Sequence, residues 1–140
     1  MEDCIFCKIA AGEIPSATVY EDENLRVIAD IAPANPGHLL ILPKVHAADF
    51  TQLSQETAIQ VICAARKIVK AVQKALEPDG INVLQNNGEA AGQTVMHYHM
   101  HIIPRYRGDR VHMSWEHREP DMEEIRRKAE AVRDALEADR

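Results

Sequence analysis

The sequence lacks any apolar stretch near the ~18 residues that a membrane-spanning helix needs. Its acidic N-terminus also lacks the basic start and apolar run of a secretion signal. Basic residues number 16 against 22 acidic ones, and the resulting net charge of -6 argues against general binding to nucleic acids or anionic membranes. We therefore expect a cytoplasmic protein with no membrane or nucleic-acid partner.

Cysteine is also scarce, since the chain has only Cys4, Cys7 and Cys63. Three cysteines are too few, and odd in number, for a disulfide framework. The chain shows no internal repeat, low-complexity tract or linker, and its 140 residues are the size of one domain with its own core. A single domain over residues 1–140 is therefore predicted.

The apolar pattern predicts short strands around one long helix. Strands are expected at 18–21, 25–29, 38–42 (ended by Pro43) and 81–85, with a short helix and turn at 5–14. The long helix should run from Ser54, its N-cap, to Leu76, and an amphipathic helix should cover about 121–138, capped by Asp121 and Glu124. This order predicts an α+β domain on a mostly antiparallel sheet of about five strands.

The long helix carries more apolar surface than one sheet face would cover. One stripe runs through Ile59, Ile62, Val69, Val72 and Leu76, and a second through Val61, Ala64, Ile68, Ala71 and Ala75. A partner subunit is expected to cover the remainder.

Three histidines alternate with apolar residues in the segment 95–103. Alternation predicts a strand on which His97, His99 and His101 share one face. The opposite face would be apolar, formed by Met96, Tyr98, Met100 and Ile102. Three imidazoles on one face suit either a catalytic metal or one nucleophilic imidazole with helpers that orient it and protonate the leaving group. The pattern alone leaves both open.

The segment from His97 to Ile103 reads His-φ-His-φ-His-φ-φ, where φ is apolar, and resembles the signature of the histidine triad (HIT) family. The similarity extends over nearly the whole chain, through segments 4–9, 14–15, 36–38, 43–46, 86–88 and 92–94. It is similar above all to bacterial proteins of the Hint-like branch. The resemblance implies the HIT fold, a homodimer whose two sheets join, and cleavage at the α-phosphorus of mononucleotide conjugates.

By this resemblance, His99 is the nucleophile that forms a nucleotidyl-histidine, His101 helps the leaving group depart, and His97 completes the catalytic set. Imidazole suits this role because it is a neutral nucleophile near pH 7 and leaves phosphorus readily. The implied substrate contacts are Asp30 for the ribose, His38 as a fourth site histidine, Asn86, Gln93 and Thr94 for the phosphate, and Ile5, Phe6, Ile9 and Ile31 for the base.

The Cys4-x-x-Cys7 pair has several interpretations in a reducing compartment: two zinc ligands, a redox pair or two packed thiols. The resemblance implies that His46 and His97 complete a Cys₂His₂ zinc shell. Such a closed shell is structural, so zinc would fasten the N-terminus to the sheet and fix His97 beside His99.

We therefore expect a purine mononucleotide hydrolase or transferase whose own residues perform the chemistry, with zinc as a structural ion. The substrate that the resemblance favours is an adenosine phosphoramidate, cleaved at its P–N bond. The alternative within the fold is hydrolysis of dinucleoside polyphosphates. An alternative of another class is a zinc-stabilised nucleotide-binding module without turnover. Around Trp115 the chain departs from the Hint-like pattern and continues into its extra helix.

Overall fold

The computed structural model describes residues 3–140. Its strands are β1 (Thr18–Glu21), β2 (Leu25–Ala29), β3 (Leu39–Pro43), β4 (Gly80–Leu84) and β5 (Met100–Arg105). Its helices are α1 (Ile5–Ala10), α2 (Gln55–Leu76) and α3 (Met122–Ala138), with single 3₁₀ turns at Phe50–Gln52 and Glu89–Ala91. The strands form one antiparallel sheet in the order β1-β2-β3-β5-β4. This confirms the predicted α+β class and the five strands.

Helices cover the two faces of the sheet. Strands β2, β3 and β5 pack against α2 around a core that contains Val27, Ile41 and Ile102. On the other face, Phe6, Ile9 and Ala10 of α1 pack against residues of β2 and β3. Leu40 is paired with His101, so the side chain of His101 points towards the α1 face. Within the described residues, no helix has the length and apolar character that crossing a membrane requires.

Helix α2 begins and ends as its sequence predicts. Ser54 Oγ accepts the Thr57 N–H at 3.1 Å, and Glu77 ends the helix in the left-handed conformation. Residues of both stripes face the sheet, since Val61, Ala64 and Ile68 of the second stripe are buried together with Ala65 and with Val72 of the first. Ala71 and Ala75 of the second stripe are exposed. From the first stripe, Ile59 and Ile62 remain 55% and 59% exposed.

The predicted histidine strand over 95–103 is wrong at its start. Residues 95–99 are irregular, and β5 begins only at Met100. The strand also continues through Pro104 to Arg105, two residues beyond the predicted end at 103. The carbonyl of Pro104 accepts from Asn35 Nδ2, beyond the last pair of β3 with β5, so no β3 carbonyl needs the N–H that proline lacks.

The boundaries of β3 and β4 each lie one residue from the predicted ones, within the usual uncertainty of strand ends. Strands β1 and β2 have the predicted boundaries. Asp22 closes their turn, because its Oδ1 accepts the N–H groups of Asn24 and Leu25 at 2.7 and 2.9 Å.

Candidate functional site

A cavity of about 430 Å³ opens on the α1 face of the sheet. Ile5, Phe6 and Ile9 of α1 contribute apolar wall, and Asp30, Ile31, Thr94, His99 and His101 also line it. Eight of the residues predicted for the site therefore share one cavity. An apolar pocket with a few polar groups is the usual form of a small-molecule site.

His99 is held in one tautomer by its own chain. Its Nδ1 lies 2.7 Å from the carbonyl oxygen of His97, so Nδ1 carries the proton and donates it. Phe6 packs edge-on against the ring, with 4.9 Å between the centroids. The unprotonated nitrogen is then Nε2, and such a lone pair can attack an electrophile.

His38 and His101 form a short relay of hydrogen bonds. The N–H of Ala34 donates to His38 Nδ1 at 2.9 Å, so the proton of neutral His38 sits on Nε2. His38 Nε2 donates to His101 Nδ1 at 2.8 Å, which leaves the His101 proton on Nε2. Burial, with the nearby His99 and His38, lowers the pKa of His101 to about 4. Burial likewise lowers the pKa of His38, so both rings are neutral at pH 7.

Asp30 follows β2 at the cavity wall. Its Oδ1 accepts the Ala32 N–H at 2.8 Å, and its Oδ2 lies 3.5 Å from His38 Nε2. The carboxylate keeps further lone pairs, so it can also accept hydrogen bonds from a ligand hydroxyl.

Gln93 is buried, and its amide bonds within the loop that precedes the histidines and to Ala48 in the segment after β3. Nε2 donates to the carbonyls of Ala48 and Val95, at 2.7 and 3.0 Å, and Oε1 accepts the Gly88 N–H at 2.8 Å. Among the described residues, those that line the cavity include Thr94 but neither Gln93 nor Asn86. The predicted phosphate contacts of Gln93 and Asn86 stay predictions.

A second cluster brings together Cys4, Cys7, His46 and His97, with one potential ligand atom from each within 4.8 Å of the others. His97 Nδ1 lies 3.3 Å from Cys4 Sγ, 3.4 Å from Cys7 Sγ and 3.2 Å from His46 Nδ1. His97 Nε2 donates to the Pro43 carbonyl at 2.8 Å, so a lone pair on Nδ1 faces the cluster. The four residues fit a tetrahedral zinc ion.

The Cys7 thiol of this cluster is neutral without a metal. Burial and the adjacent Cys4 raise the pKa of the Cys7 thiol. A bound zinc ion would hold both sulfurs as thiolates, because a coordinated thiol loses its proton.

Asp30, His38 and His101 also lie close enough together to suggest a metal site. Here, however, a proton lies between His38 Nε2 and His101 Nδ1, and the Ala34 N–H occupies the other nitrogen of His38. The three triad imidazoles diverge, since His97 turns towards the cysteines. The geometry therefore favours the nucleophile over a catalytic metal held by His97, His99 and His101.

Sequence reasoning missed part of the cavity wall. The missed residues are Ile14, Pro15, Ser16, Ile28, Ala29, Ala32, Leu40 and Val95. Ile28 and Leu40 are paired across β2 and β3, and Leu40 is paired with His101. The alternation of β5 indicated which face to search, but the register of its neighbours is not visible in the sequence.

Comparisons with known proteins agree with these features. A model of the HIT domain matches residues 11–108. The chain is 51% identical over 115 residues to "Protein hit" of Bacillus subtilis, covering 81% of this chain and 79% of that protein. It is 46% identical over 102 residues to the adenosine 5'-monophosphoramidase hnt1 of Schizosaccharomyces pombe, covering 73% and 74%.

A solved structure is similar over the full length. The crystal structure of a zinc-bound histidine triad family protein from Mycobacterium smegmatis has a TM-score of 0.75 and 38% identity, and the match covers 99% of both chains.

Proposed function

This chain belongs to the HIT family, and from that premise we propose that it cleaves purine nucleoside phosphoramidates at the α-phosphorus through a nucleotidyl-histidine. The observation that carries the proposal is the pair of complementary nitrogens in one cavity: an unprotonated His99 Nε2 and a protonated His101 Nε2. The monophosphoramidase activity named for the S. pombe relative supports the choice of substrate class.

In the first step, His99 Nε2 attacks phosphorus as the bond to the leaving nitrogen breaks. The ring gains positive charge, which the His97 carbonyl stabilises through its 2.7 Å hydrogen bond to Nδ1. His101 Nε2–H donates to the leaving nitrogen, which takes its proton from solvent. Water then attacks phosphorus, neutral His99 leaves, and the water returns one proton to solvent.

The rest of the cavity suits a purine nucleotide. Asp30 would accept from the ribose hydroxyls, and the apolar walls from Ile5, Phe6, Ile9 and Ile31 would hold the base. Thr94 would contact the phosphate, with Asn86 and Gln93 completing or shaping that end of the site.

Zinc is proposed as a structural ion at Cys4, Cys7, His46 and His97. The geometry of the cluster and the zinc-bound M. smegmatis relative support this assignment. Four protein ligands leave no open position, so the ion would fasten α1 to the segment after β3 and to His97 without entering the reaction.

We also propose a homodimer formed through α2 and β4. Strand β4 is an edge of the sheet, with backbone groups free to pair with another strand. Val83 of β4, 47% exposed, lies across an open groove from Ile62 and Val69 of α2. Pairing of two β4 strands would bury these apolar groups and join two sheets.

The test of the reaction is trapping of the intermediate. Protein mixed with adenosine phosphoramidate and quenched in alkali should carry an AMP adduct on His99 by mass spectrometry, since phosphorus–nitrogen adducts are acid-labile. His99→Ala should lose the adduct and at least about a thousandfold in turnover. His112→Ala, in the segment after β5, is the control and should keep both.

Other outcomes separate the alternatives. Preserved turnover in His99→Ala would refute the nucleophile. Faster cleavage of a dinucleoside polyphosphate than of the phosphoramidate would indicate the alternative activity. Nucleotide binding without turnover of either substrate would indicate a binding module.

A further inference from the structure

The carboxylate of Asp109 connects the end of β5 to the turn before β3. It accepts from Arg105 Nε and Nη2 at 2.8 and 2.9 Å, from the N–H groups of Tyr106 and Val111, and from Asn35 Nδ2 at 2.8 Å. Its side chain is only 9% exposed. These donors, with Arg105 first, hold the pKa of Asp109 far below its usual range, so the group stays charged.

Asn35 links this anion to the candidate active site. Its Nδ2 also donates to the Pro104 carbonyl at 2.9 Å, and its own carbonyl accepts the His38 N–H at 3.1 Å. The preceding residue, Ala34, supplies the N–H that occupies His38 Nδ1. Asn35 therefore fixes the turn that assigns the proton of His38.

We propose that Asn35 and Asp109 are positioning residues that keep the proton of His101 on the nitrogen facing the substrate. The proposal rests on the proposed function only for its effect on turnover. The effect on the tautomers of His38 and His101 is a separate consequence.

The turn at Asn35 controls which nitrogen of His38 carries the proton. If the turn loosens, the Ala34 N–H no longer blocks His38 Nδ1, and the His38 proton can sit there. His38 Nε2 then becomes an acceptor, and it lies 2.8 Å from His101 Nδ1. Two lone pairs cannot face each other at that distance, so His101 must carry its proton on Nδ1. Its Nε2 then has no proton to donate to a leaving group.

Strand β4 offers a matched control. Asn82 Oδ1 accepts from Arg105 Nη1 at 2.7 Å, so Asn82→Ala removes a bond of similar length from the same network. It leaves Asn35 and its turn in place. A loss of stability alone would affect both variants.

The experiment is ¹⁵N NMR of protein labelled in the histidine rings, with the melting temperature of each variant recorded. Wild type and Asn82→Ala should show His38 and His101 protonated at Nε2. Asn35→Ala should show His101 shifted towards Nδ1–H. Asn35→Ser, which keeps one donor, should shift in the same direction by less and serves if the alanine variant does not fold.

Turnover gives the second measurement. For an alkylamine leaving group, Asn35→Ala should lower kcat by about tenfold to a hundredfold, with KM little changed. For a leaving group that needs no stabilisation, kcat should change by less than about threefold. Wild-type tautomers in Asn35→Ala, or an equal shift in Asn82→Ala, would overturn the proposal. A wild type without turnover would instead refute the proposed function and leave the NMR result standing.

Discussion

Single backbone groups set the proton positions of the histidines at the site. The Pro43 carbonyl fixes His97, the His97 carbonyl fixes His99, and the Ala34 N–H fixes His38. Because backbone groups cannot exchange roles as hydroxyls can, the second nitrogen of each ring has a defined role: an acceptor in His97 and His99, and a donor to His101 in His38. The roles proposed for these rings, a metal ligand, a nucleophile and a donor, therefore need only one residue type within one short segment.

The lowered pKa values of His38 and His101 predict a pH-dependent stability. Below about pH 6.5 the unfolded chain binds protons at these rings, whereas folded His101 binds one only near its pKa of about 4. The free energy of unfolding should therefore fall as pH decreases from about 6.5 towards 4. Each ring contributes at most about 1.4 kcal/mol per pH unit.

Denaturant unfolding of the wild type, His101→Gln and His112→Gln between pH 8 and pH 4 checks this. The slope of the free energy of unfolding against pH should decrease in His101→Gln and stay unchanged in His112→Gln. Identical slopes in all three proteins would contradict the contribution of His101.

Gly37 occupies a conformation and a space that favour glycine. Its φ is +92°, and a Cβ there would lie 2.5 Å from Leu76 Cδ1 and 3.2 Å from Pro104 Cγ. Gly37→Ala should lower the free energy of unfolding by about 1–2 kcal/mol because of the left-handed backbone. Crowding of the new Cβ should lower it by roughly 1 kcal/mol more. Gly108 has a similar φ, +81°, and a Cβ there would meet nothing within 4 Å. Gly108→Ala should therefore show only the loss that the backbone causes. Equal losses of unfolding free energy in the two variants, measured by denaturant unfolding, would show that Leu76 and Pro104 move aside at no energetic cost.

At the scale of elements, helix α1 depends on the cysteine cluster. Cys4 is its N-cap, with Sγ accepting from the Cys7 N–H at 3.3 Å, and Cys4 is also a proposed zinc ligand. Cys4→Ala should lower stability by more than about 2 kcal/mol. Its effect on the chemical step should be smaller, because His99 stays in place.

Thermal melting with and without a chelator, together with a zinc assay, tests this expectation. Chelation should lower the melting temperature of the wild type and leave that of Cys4→Ala unchanged. Cys63→Ala, in the exposed surface of α2, should behave as the wild type does. If the wild type as purified carries no zinc and Cys4→Ala leaves its melting temperature unchanged, the proposed zinc site is refuted.

Elements with strong local signals could be predicted from sequence. Strands β1 and β2 and the caps of α2 and α3 agree with the structure, because turn residues and N-caps act over a few positions. The start of β5 could not be predicted. His97 is completely buried and contacts Cys4, which is distant in sequence, and such contacts override the local alternation.

The candidate site also has residues that the sequence predicts and contacts that it does not. His99, His101, Asp30 and α1 carry recognisable patterns and share the cavity. The link from Asp109 to His38 passes through Asn35, and its hydrogen bond between Asn35 and Asp109 joins residues 74 positions apart. No local period signals such a contact, and only the folded chain reveals it.

At the scale of the whole molecule, the proposed dimer predicts a change of mass on substitution. Ile62→Glu would bury two carboxylates in the paired α2 surfaces and should convert the dimer to a monomer. Val45→Glu places the same charge at a residue that is 70% exposed and far from that groove in the chain, and should not alter the mass. Light scattering after size exclusion gives the answer, and a monomeric wild type would refute the interface.

The sheet has a second edge, β1, and its character sets how far the proposed assembly could extend. The strand has only four residues, Thr18–Glu21, and its register shifts between Thr18 and Tyr20. Glu21 is held by Lys44 at 2.7 Å, which leaves charged groups along this edge. A short, irregular, charged strand is a poor template for another chain. Filament growth needs two receptive edges, so a chain that pairs at β4 alone closes at two copies and cannot polymerise.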